Sequence, residues 1–217
     1  MSSTSYVDQW QASGDRKRAP AVAKNREPIS DALKHRLKPH GKALEIASGT
    51  GEHVCHFAPL FPEWSWQPSE PIPELRKSIL AWVDHCGLTN VERPLDLNLL
   101  LESWDKDLSQ EFDLIFNANM VHISPWEVSE NLFSGAERVL VPSGQLCLYG
   151  PFFEEEVIPA DSNLRFDASL KSRDPSWGIR NRKKLEELAG NAGLTLKDRI
   201  EMPSNNLMLW FEKKHNG

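Results

Sequence analysis

The chain has 217 residues, of which 40% are hydrophobic and 26% charged, and its formal net charge is -6 at pH 7. This is ordinary globular usage, enough for one domain with a sizeable core, and it excludes a disordered tail, a repeat array and a disulfide miniprotein. The acidic balance also opposes nonspecific binding to nucleic acid, which depends on neutralising phosphates.

No run approaches the roughly eighteen apolar residues of a membrane span. The stretch up to Lys24, which carries Arg16, Lys17 and Arg18, has no apolar signal core. Cys55, Cys86 and Cys147 are widely spaced among apolar neighbours, which points to reduced thiols in a cytoplasmic protein.

Residues 1–24 mix Ser, Gly, Asp and basic side chains without period and read as an N-terminal arm, leaving residues 25–217 as a single domain. From Pro28, the positions Ile29, Ala32, Leu33 and Leu37 share a helical face, with Pro28 in its first turn and Pro39 closing it. Lys42–Ala47 is a short apolar strand stopped by Ser48-Gly49-Thr50-Gly51. A helix follows, with Val54, Phe57, Ala58 and Phe61 on one face. Trp64–Ser69 makes the next strand, and the helix after it places Leu75, Ile79, Trp82 and Val83 inward and Gly87 at its end.

NVERPLDL (90–97) is a strand candidate, and Phe112–Asn117 is the clearest strand of the chain. A helix after Pro125 runs through Val128, Leu132, Phe133 and Val139, then QLCLYG reads as a strand buried on both faces. From Pro151 to Arg180 the pattern lapses, far longer than an ordinary connection in such folds. The chain ends in a helix capped by Asn181 and stopped at Gly193, and in two strands joined at Pro203–Asn205. The alternation of strands and helices predicts an α/β fold with a mainly parallel sheet, whose ligand lies beyond the carboxyl ends of the strands.

The turn Glu45-Ile46-Ala47-Ser48-Gly49-Thr50-Gly51 is an E-x-G-x-G-x-G pattern with Ala47 at the first glycine position. Small residues let backbone approach a ligand closely. A dinucleotide site would want a small residue at Val54, and the acidic Glu45 suits an ammonium-bearing ligand better than a pyrophosphate. Glu70, at the end of the next strand, is placed to accept both hydroxyls of a ribose. Asp96, followed by Leu97, ends the third strand candidate on the adenine side. Each acid alone reads equally as a solvated strand end; in series with the Gly49 turn they resemble the S-adenosylmethionine site of class I methyltransferases.

Across the switch point, the fourth strand ends in Asn117-Ala118-Asn119-Met120-Val121-His122, a segment that faces the transferred methyl group in such enzymes. Asn119 and His122 are therefore candidates for the acceptor side, His122 as a general base or as a histidine that only caps or packs. The segment is not the Asn-Pro-Pro-Tyr signature of nucleic-acid amino methylation. His53, Cys55 and His56 lack zinc-like spacing, so no metal is expected.

Several longer stretches, in order, are similar to the methyltransferase-like protein twenty-six family: KNREPI (24–29), EIASGTGEH (45–53), FPEWSWQPSE (61–70), NMVHISPW (119–126), LYGPF (148–152), SNLRFDASLKSRDPSWGIRN (162–181) and MPSNNL (202–207). The resemblance implies a Rossmann-like class I methyltransferase fold, with a seven-stranded, mainly parallel sheet, its last strand antiparallel and helices on both faces, and S-adenosyl-L-methionine as cofactor. It implies no substrate. Asp is usual in the family where this chain has Glu70, and the longer carboxylate still reaches a ribose.

On this reading Asn25 and Arg26 help hold the cofactor's carboxylate. Glu45, Ala47, Ser48, Gly49, Thr50, Gly51, Glu70, Asp96, Leu97 and Asn117 complete its site, and His122, Tyr149, Asn119 and Arg173 meet the acceptor. The 151–180 stretch is then a lid or substrate wall, unless Arg173 and Asp174 pair to fix the loop and Trp177 plugs the core. The expected function is methylation of a small molecule, with no nucleic-acid or membrane partner. The alternatives are a cofactor-binding regulatory or scaffolding protein without turnover, and a nicotinamide oxidoreductase, against which Val54 speaks.

Overall fold

The computed structural model describes residues 11–214. It is an α/β fold whose central sheet is mostly parallel, and the chain divides into two compact units, one ending at Leu97 and the other beginning at Asn98.

The first unit opens with a short antiparallel hairpin of β1 (Gln11–Ser13) and β2 (Arg16–Arg18). Residues 1–10 of the expected arm lie outside the described residues. The hairpin is anchored to helix α3 (Pro73–Cys86). The Lys17 N–H donates to Ser78 Oγ at 2.9 Å, Trp82 Nε1–H donates to the Lys17 carbonyl at 2.9 Å, and the Arg16 and Arg18 guanidinium groups lie 5.1 and 4.7 Å from the Trp82 ring centroid.

Helix α1 spans Val22–Lys34, so it starts ahead of Pro28, which sits inside it rather than in its first turn. Pro28 lacks only the proton that would reach the carbonyl one turn back, and the burial of Val22, Asn25, Ile29 and Leu33 outweighs that loss. Strands β3 (Gly41–Ile46) and β4 (Trp64–Pro68) pair in parallel, joined through α2 (Glu52–Phe57), as the strand–turn–helix reading expects. Trp66, Phe57, Leu44 and Ile46 are fully buried in this unit's core.

The strand expected at 90–97 is reduced to two parallel bridges on β4, Trp66 with Val91 and Ser69 with Leu95. Pro94 lies between them without an N–H to donate, which interrupts the ladder. Six long strands are therefore regular among the described residues, where seven were expected.

In the second unit β5 (Phe112–Ala118) runs parallel to β6 (Leu140–Gly150), with α4 (Trp126–Val139) between them in sequence. The last strand, β10 (Asn206–Lys213), is antiparallel both to β6 and to β9 (Leu194–Met202), the arrangement the resemblance implies. Trp210, Phe116, Phe133 and Phe211 fill the core, the last two edge to face with centroids 5.0 Å apart.

The stretch read as irregular holds a short strand β7 (Phe152–Phe153) and a helix α5 (Asp161–Arg173). Only Asn163 and Leu170 of that helix are buried, so it shows no apolar stripe for a periodicity to reveal. β8 (Arg180–Asn181) pairs with β7 and leads into α6 (Arg182–Asn191), where the Asn181 side chain accepts the Lys183 and Lys184 N–H groups as a cap. Among the described residues no helix is long and apolar enough to cross a membrane.

Candidate active site

The cofactor-side candidates, Asn117 apart, lie in the first unit. The turn after β3 is held by serines: Ser48 N–H donates to the Ser69 carbonyl at 2.8 Å, and the Glu45 carbonyl receives Ser69 N–H at 2.9 Å and Ser69 Oγ–H at 2.8 Å. Ala47 and Gly49 take positive φ, 52° and 55°, so Ala47 bears a left-handed conformation that an alanine adopts at a cost of about 1–2 kcal/mol. Gly51 has φ 88°, and a Cβ there would stand 2.8 Å from the Ile79 backbone, so only glycine fits.

Glu70 closes the turn. One carboxylate oxygen accepts the Gly49 N–H at 3.0 Å and the other accepts the Ile72 N–H at 3.1 Å. Each oxygen keeps a further lone pair for a hydroxyl. Burial pushes its pKa up while those two backbone bonds pull it down. Arg76 joins the two strand-end acids, donating to the Glu70 carbonyl at 2.7 Å and pairing with the exposed Asp96 at 3.1 Å, beside buried Leu97.

Glu45 differs from both. Its Oε2 is buried without a hydrogen-bond partner, and burial pushes its pKa up to about 8, with the Ser48 hydroxyl opposing and the Glu70 carboxylate adding. Thr50 Oγ1 donates to Glu52 at 3.0 Å, and the same Glu52 oxygen accepts the Ala19 N–H at 2.7 Å, which ties the end of the hairpin segment to the turn. Asn25 Oδ1 stands 2.8 Å from Nε2 of His53, a histidine that burial holds neutral with its pKa lowered to about 3. Arg26 Nε is buried without a hydrogen bond.

The acceptor-side candidates lie in the second unit, at the carboxyl ends of β5 and β6. Asn117 is buried near the end of β5. Asn119 turns the chain with φ 65°, which Asn tolerates better than most residues, and donates its N–H to the Tyr149 carbonyl at 2.9 Å. Tyr149 Oη accepts from Asn206 Nδ2 at 3.1 Å.

His122 is only 2% exposed, and its Nδ1 has no partner. Burial, aided by the charge of Arg180, lowers its pKa to about 3, so the ring stays neutral through the physiological range. A Cβ at Gly150 would lie 3.3 Å from that Nδ1 and 3.5 Å from Asn119 Oδ1, so glycine leaves open the space that these polar atoms border. Phe166 of α5 closes on His122 edge-on, with ring centroids 5.6 Å apart.

Arg173 stands apart from this group, exposed in the last turn of α5. Asp174 turns its carboxylate to Ser176, accepting its N–H at 2.8 Å and its hydroxyl at 2.6 Å. Sequence reasoning missed Arg180 and Asn206. Arg180 donates to the carbonyls of Val121 at 2.8 Å, Ser176 at 3.1 Å and Ser124, pinning the His122 segment to the end of the α5 connection. Both residues sit within stretches that carried the family resemblance, but Arg180 meets backbone carbonyls and Asn206 the Tyr149 hydroxyl across long sequence separations, which no spacing rule indicates.

The sequence profile of a family described as "Protein of unknown function (DUF938)" matches residues 16–213. Among solved structures the chain resembles an O-methyltransferase family protein from Burkholderia thailandensis, with TM-score 0.76 and 14% identity over 91% of this chain and 58% of that one. It also resembles an O-methyltransferase family 2 protein from Planctomyces limnophilus in complex with apigenin, with TM-score 0.74 and 15% identity over 89% of this chain and 60% of that one. A third is human N-acetylserotonin methyltransferase in complex with S-adenosylmethionine, with TM-score 0.70 and 14% identity over 89% of this chain and 53% of that one. The chain thus spans little more than half the length of these structures, and the likeness shows a methyltransferase fold.

Proposed function

We propose that this chain, which belongs to the DUF938 family, is an S-adenosylmethionine-dependent methyltransferase acting on a small molecule. What supports the reading most is the buried Glu45 carboxyl beside the glycine turn, whose Oε2 has no hydrogen-bond partner. A carboxyl raised by burial is returned to its ionised form by a cation placed against it, and the cofactor's ammonium is such a cation.

Around it, the Ala47–Gly51 turn brings backbone close, with Ser48 and Thr50 holding its shape. Glu70 accepts ribose hydroxyls through its remaining lone pairs, Asp96 and Leu97 border the adenine, and Asn25 and Arg26 meet the carboxylate end, the buried Arg26 Nε being a ready donor. Asn117, read from the sequence as a cofactor residue, lies in the second unit near the end of β5. When bound, the sulfonium cofactor supplies a methyl group for in-line displacement by the acceptor.

The chain's own part is alignment and exclusion of water, which is worth up to roughly 7–11 kcal/mol. Neutral His122 accepts a hydrogen bond from the acceptor's O–H or N–H and so orients its lone pair. With so low a pKa it orients the nucleophile and stores no proton, which passes to solvent. Asn119 and Tyr149 share that wall, and Arg173 would reach an acceptor only from the exposed end of α5.

Calorimetric titration with S-adenosylmethionine and with S-adenosylhomocysteine tests the reading. Saturable binding that is lost in Gly49→Asp and weakened in Glu70→Ala supports it; a folded wild-type protein that binds neither overturns it.

A further inference from the structure

The second unit encloses a cavity of about 370 Å³ between the segment from Phe152 to Asn163 and the turn from Met202 to Leu207. We propose that it holds the body of the methyl acceptor, and that this acceptor carries no anionic group and has an apolar, ring-sized frame bearing an O–H or N–H donor. The assignment rests on the methyl-transfer reading above.

Position comes first. β6 ends at Gly150, β10 begins at Asn206 paired next to it, and β9, parallel to β6 through their common antiparallel neighbour, ends at Met202. All three termini lie at the carboxyl edge of the sheet, where ligands of such folds bind. The cavity wall also reaches the candidate acceptor residues by hydrogen bonds alone: Asn206 donates to Tyr149 Oη at 3.1 Å, and the Tyr149 carbonyl receives the Asn119 N–H at 2.9 Å.

The lining fixes the chemistry. Phe152, Val157, Ile158, Pro159, Met202 and Leu207 supply apolar wall, and Ile158 at the rim is 94% exposed, apolar surface that a bound ring system would cover. The volume falls in the range of small-molecule sites.

Of the three charged groups in the lining, Glu154, Arg199 and Glu201, the arginine is shared by both carboxylates. Glu154 accepts from Arg199 through both oxygens at 2.9 and 2.6 Å and pairs with Arg182 at 2.9 Å, while the remaining Arg199 nitrogen donates to Glu201 at 2.9 Å. Arg199 and Arg182 hold the Glu154 carboxyl below the usual range, so it stays ionised and engaged. An anion entering here would lose its hydration and find Arg199, the one basic group of the lining, already engaged by two carboxylates.

The amide groups tie the lining together. Asn163 Nδ2 donates to the Asn205 carbonyl at 3.0 Å, and Asn206 Nδ2 donates to Tyr149 Oη and, at 3.0 Å, to the Pro203 carbonyl. Asn206 thus commits both of its amide hydrogens within the protein, so its side-chain oxygen, an acceptor, is what that amide offers a ligand. The turn that presents them holds Ser204 and Asn205 at φ 62° and 57°, a strained pair of the kind that collects at binding sites.

The test uses 2-naphthol as probe, with naphthalene-2-carboxylate and naphthalene as size-matched partners, in fluorescence titrations of the full chain. The variants are Ala160→Trp, which fills the cavity from its rim, and Ile158→Asp, a change at a solvent-facing position that leaves folding intact. The same proteins are titrated with S-adenosylmethionine. The expected result is saturable 2-naphthol binding, at least about tenfold tighter than that of the carboxylate and tighter than that of naphthalene. Both variants weaken it by a similar factor while their affinity for S-adenosylmethionine stays that of the wild type.

The proposal is overturned if 2-naphthol does not saturate up to its solubility, if the carboxylate binds as well, or if neither variant changes the affinity. Should the naphthol pattern appear in a protein that does not bind S-adenosylmethionine, the cavity stands as a ligand site and the methyl-transfer reading falls instead.

Discussion

Glu70 and Gly49 are joined by a 3.0 Å hydrogen bond from the turn's N–H to the carboxylate, while the second Glu70 oxygen takes the Ile72 N–H at 3.1 Å. One side chain thus fixes the glycine turn to the entry of the next helix. Glu70→Asp, shorter by one methylene, should lose at least one of these bonds, at about 1 kcal/mol each. Urea unfolding should report that loss, and calorimetry a weaker affinity for S-adenosylmethionine. A variant that retains both values would mean the glutamate's length is immaterial.

Glu45 sets a pH dependence of definite sign. Burial pushes its carboxyl up to about 8 in the folded protein from the ordinary 4.5, so between those values the folded chain binds more protons than the unfolded chain, and this group's contribution to stability falls as pH rises. Urea midpoints of the ligand-free protein between about pH 5 and pH 8 should show the decline, and Glu45→Gln should flatten it. An unchanged slope in the variant would remove Glu45 as its source.

At Gly51 two penalties coincide: φ is 88°, and an added Cβ meets the Ile79 Cα at 2.8 Å. Gly51→Ala should therefore cost about 2–4 kcal/mol, well above an ordinary surface change. Thermal unfolding measures it. A cost near zero would show that the turn relaxes away from α3.

His122 should stay neutral. Its folded pKa of about 3 lies below the ordinary 6.5, so the unfolded state takes up the proton first and stability falls as pH drops below about 6.5. In NMR spectra the His122 ring carbons should hold constant shifts from about pH 8 to pH 5, and His122→Leu should lessen the acid loss. A titration near 6.5 would restore His122 as a general base.

The first half of the chain was legible where chemistry and periodicity agreed: Lys42–Ala47, the Gly49 turn and the helix with Val54 and Phe57 inward appear where the residues place them. The strand at 90–97 was over-read, because its apolar residues suit a strand while Pro94 denies it a ladder. Helix α5 was missed since its apolar residues Leu164, Phe166, Ala168 and Leu170 recur at every second position rather than at helical spacing, and the start of α1 was placed late because proline marks first turns more often than interiors. Cofactor-side acids could be named from spacing after a glycine turn. The Arg180 clamp and the Asn206–Tyr149 bond depend on residues far apart in sequence, the first meeting carbonyls and the second a tyrosine hydroxyl that only the folded chain brings near.

The most direct measurement is calorimetry of S-adenosylmethionine binding at pH 7 in two buffers of different ionisation enthalpy. If the ligand's ammonium seats against Glu45, the carboxyl must give up its proton on binding. The apparent enthalpy should then differ between buffers by close to one proton's worth, and Glu45→Gln should abolish the difference and weaken binding at least about tenfold. No binding by the folded wild-type protein, or a proton release that persists in Glu45→Gln, would contradict the account.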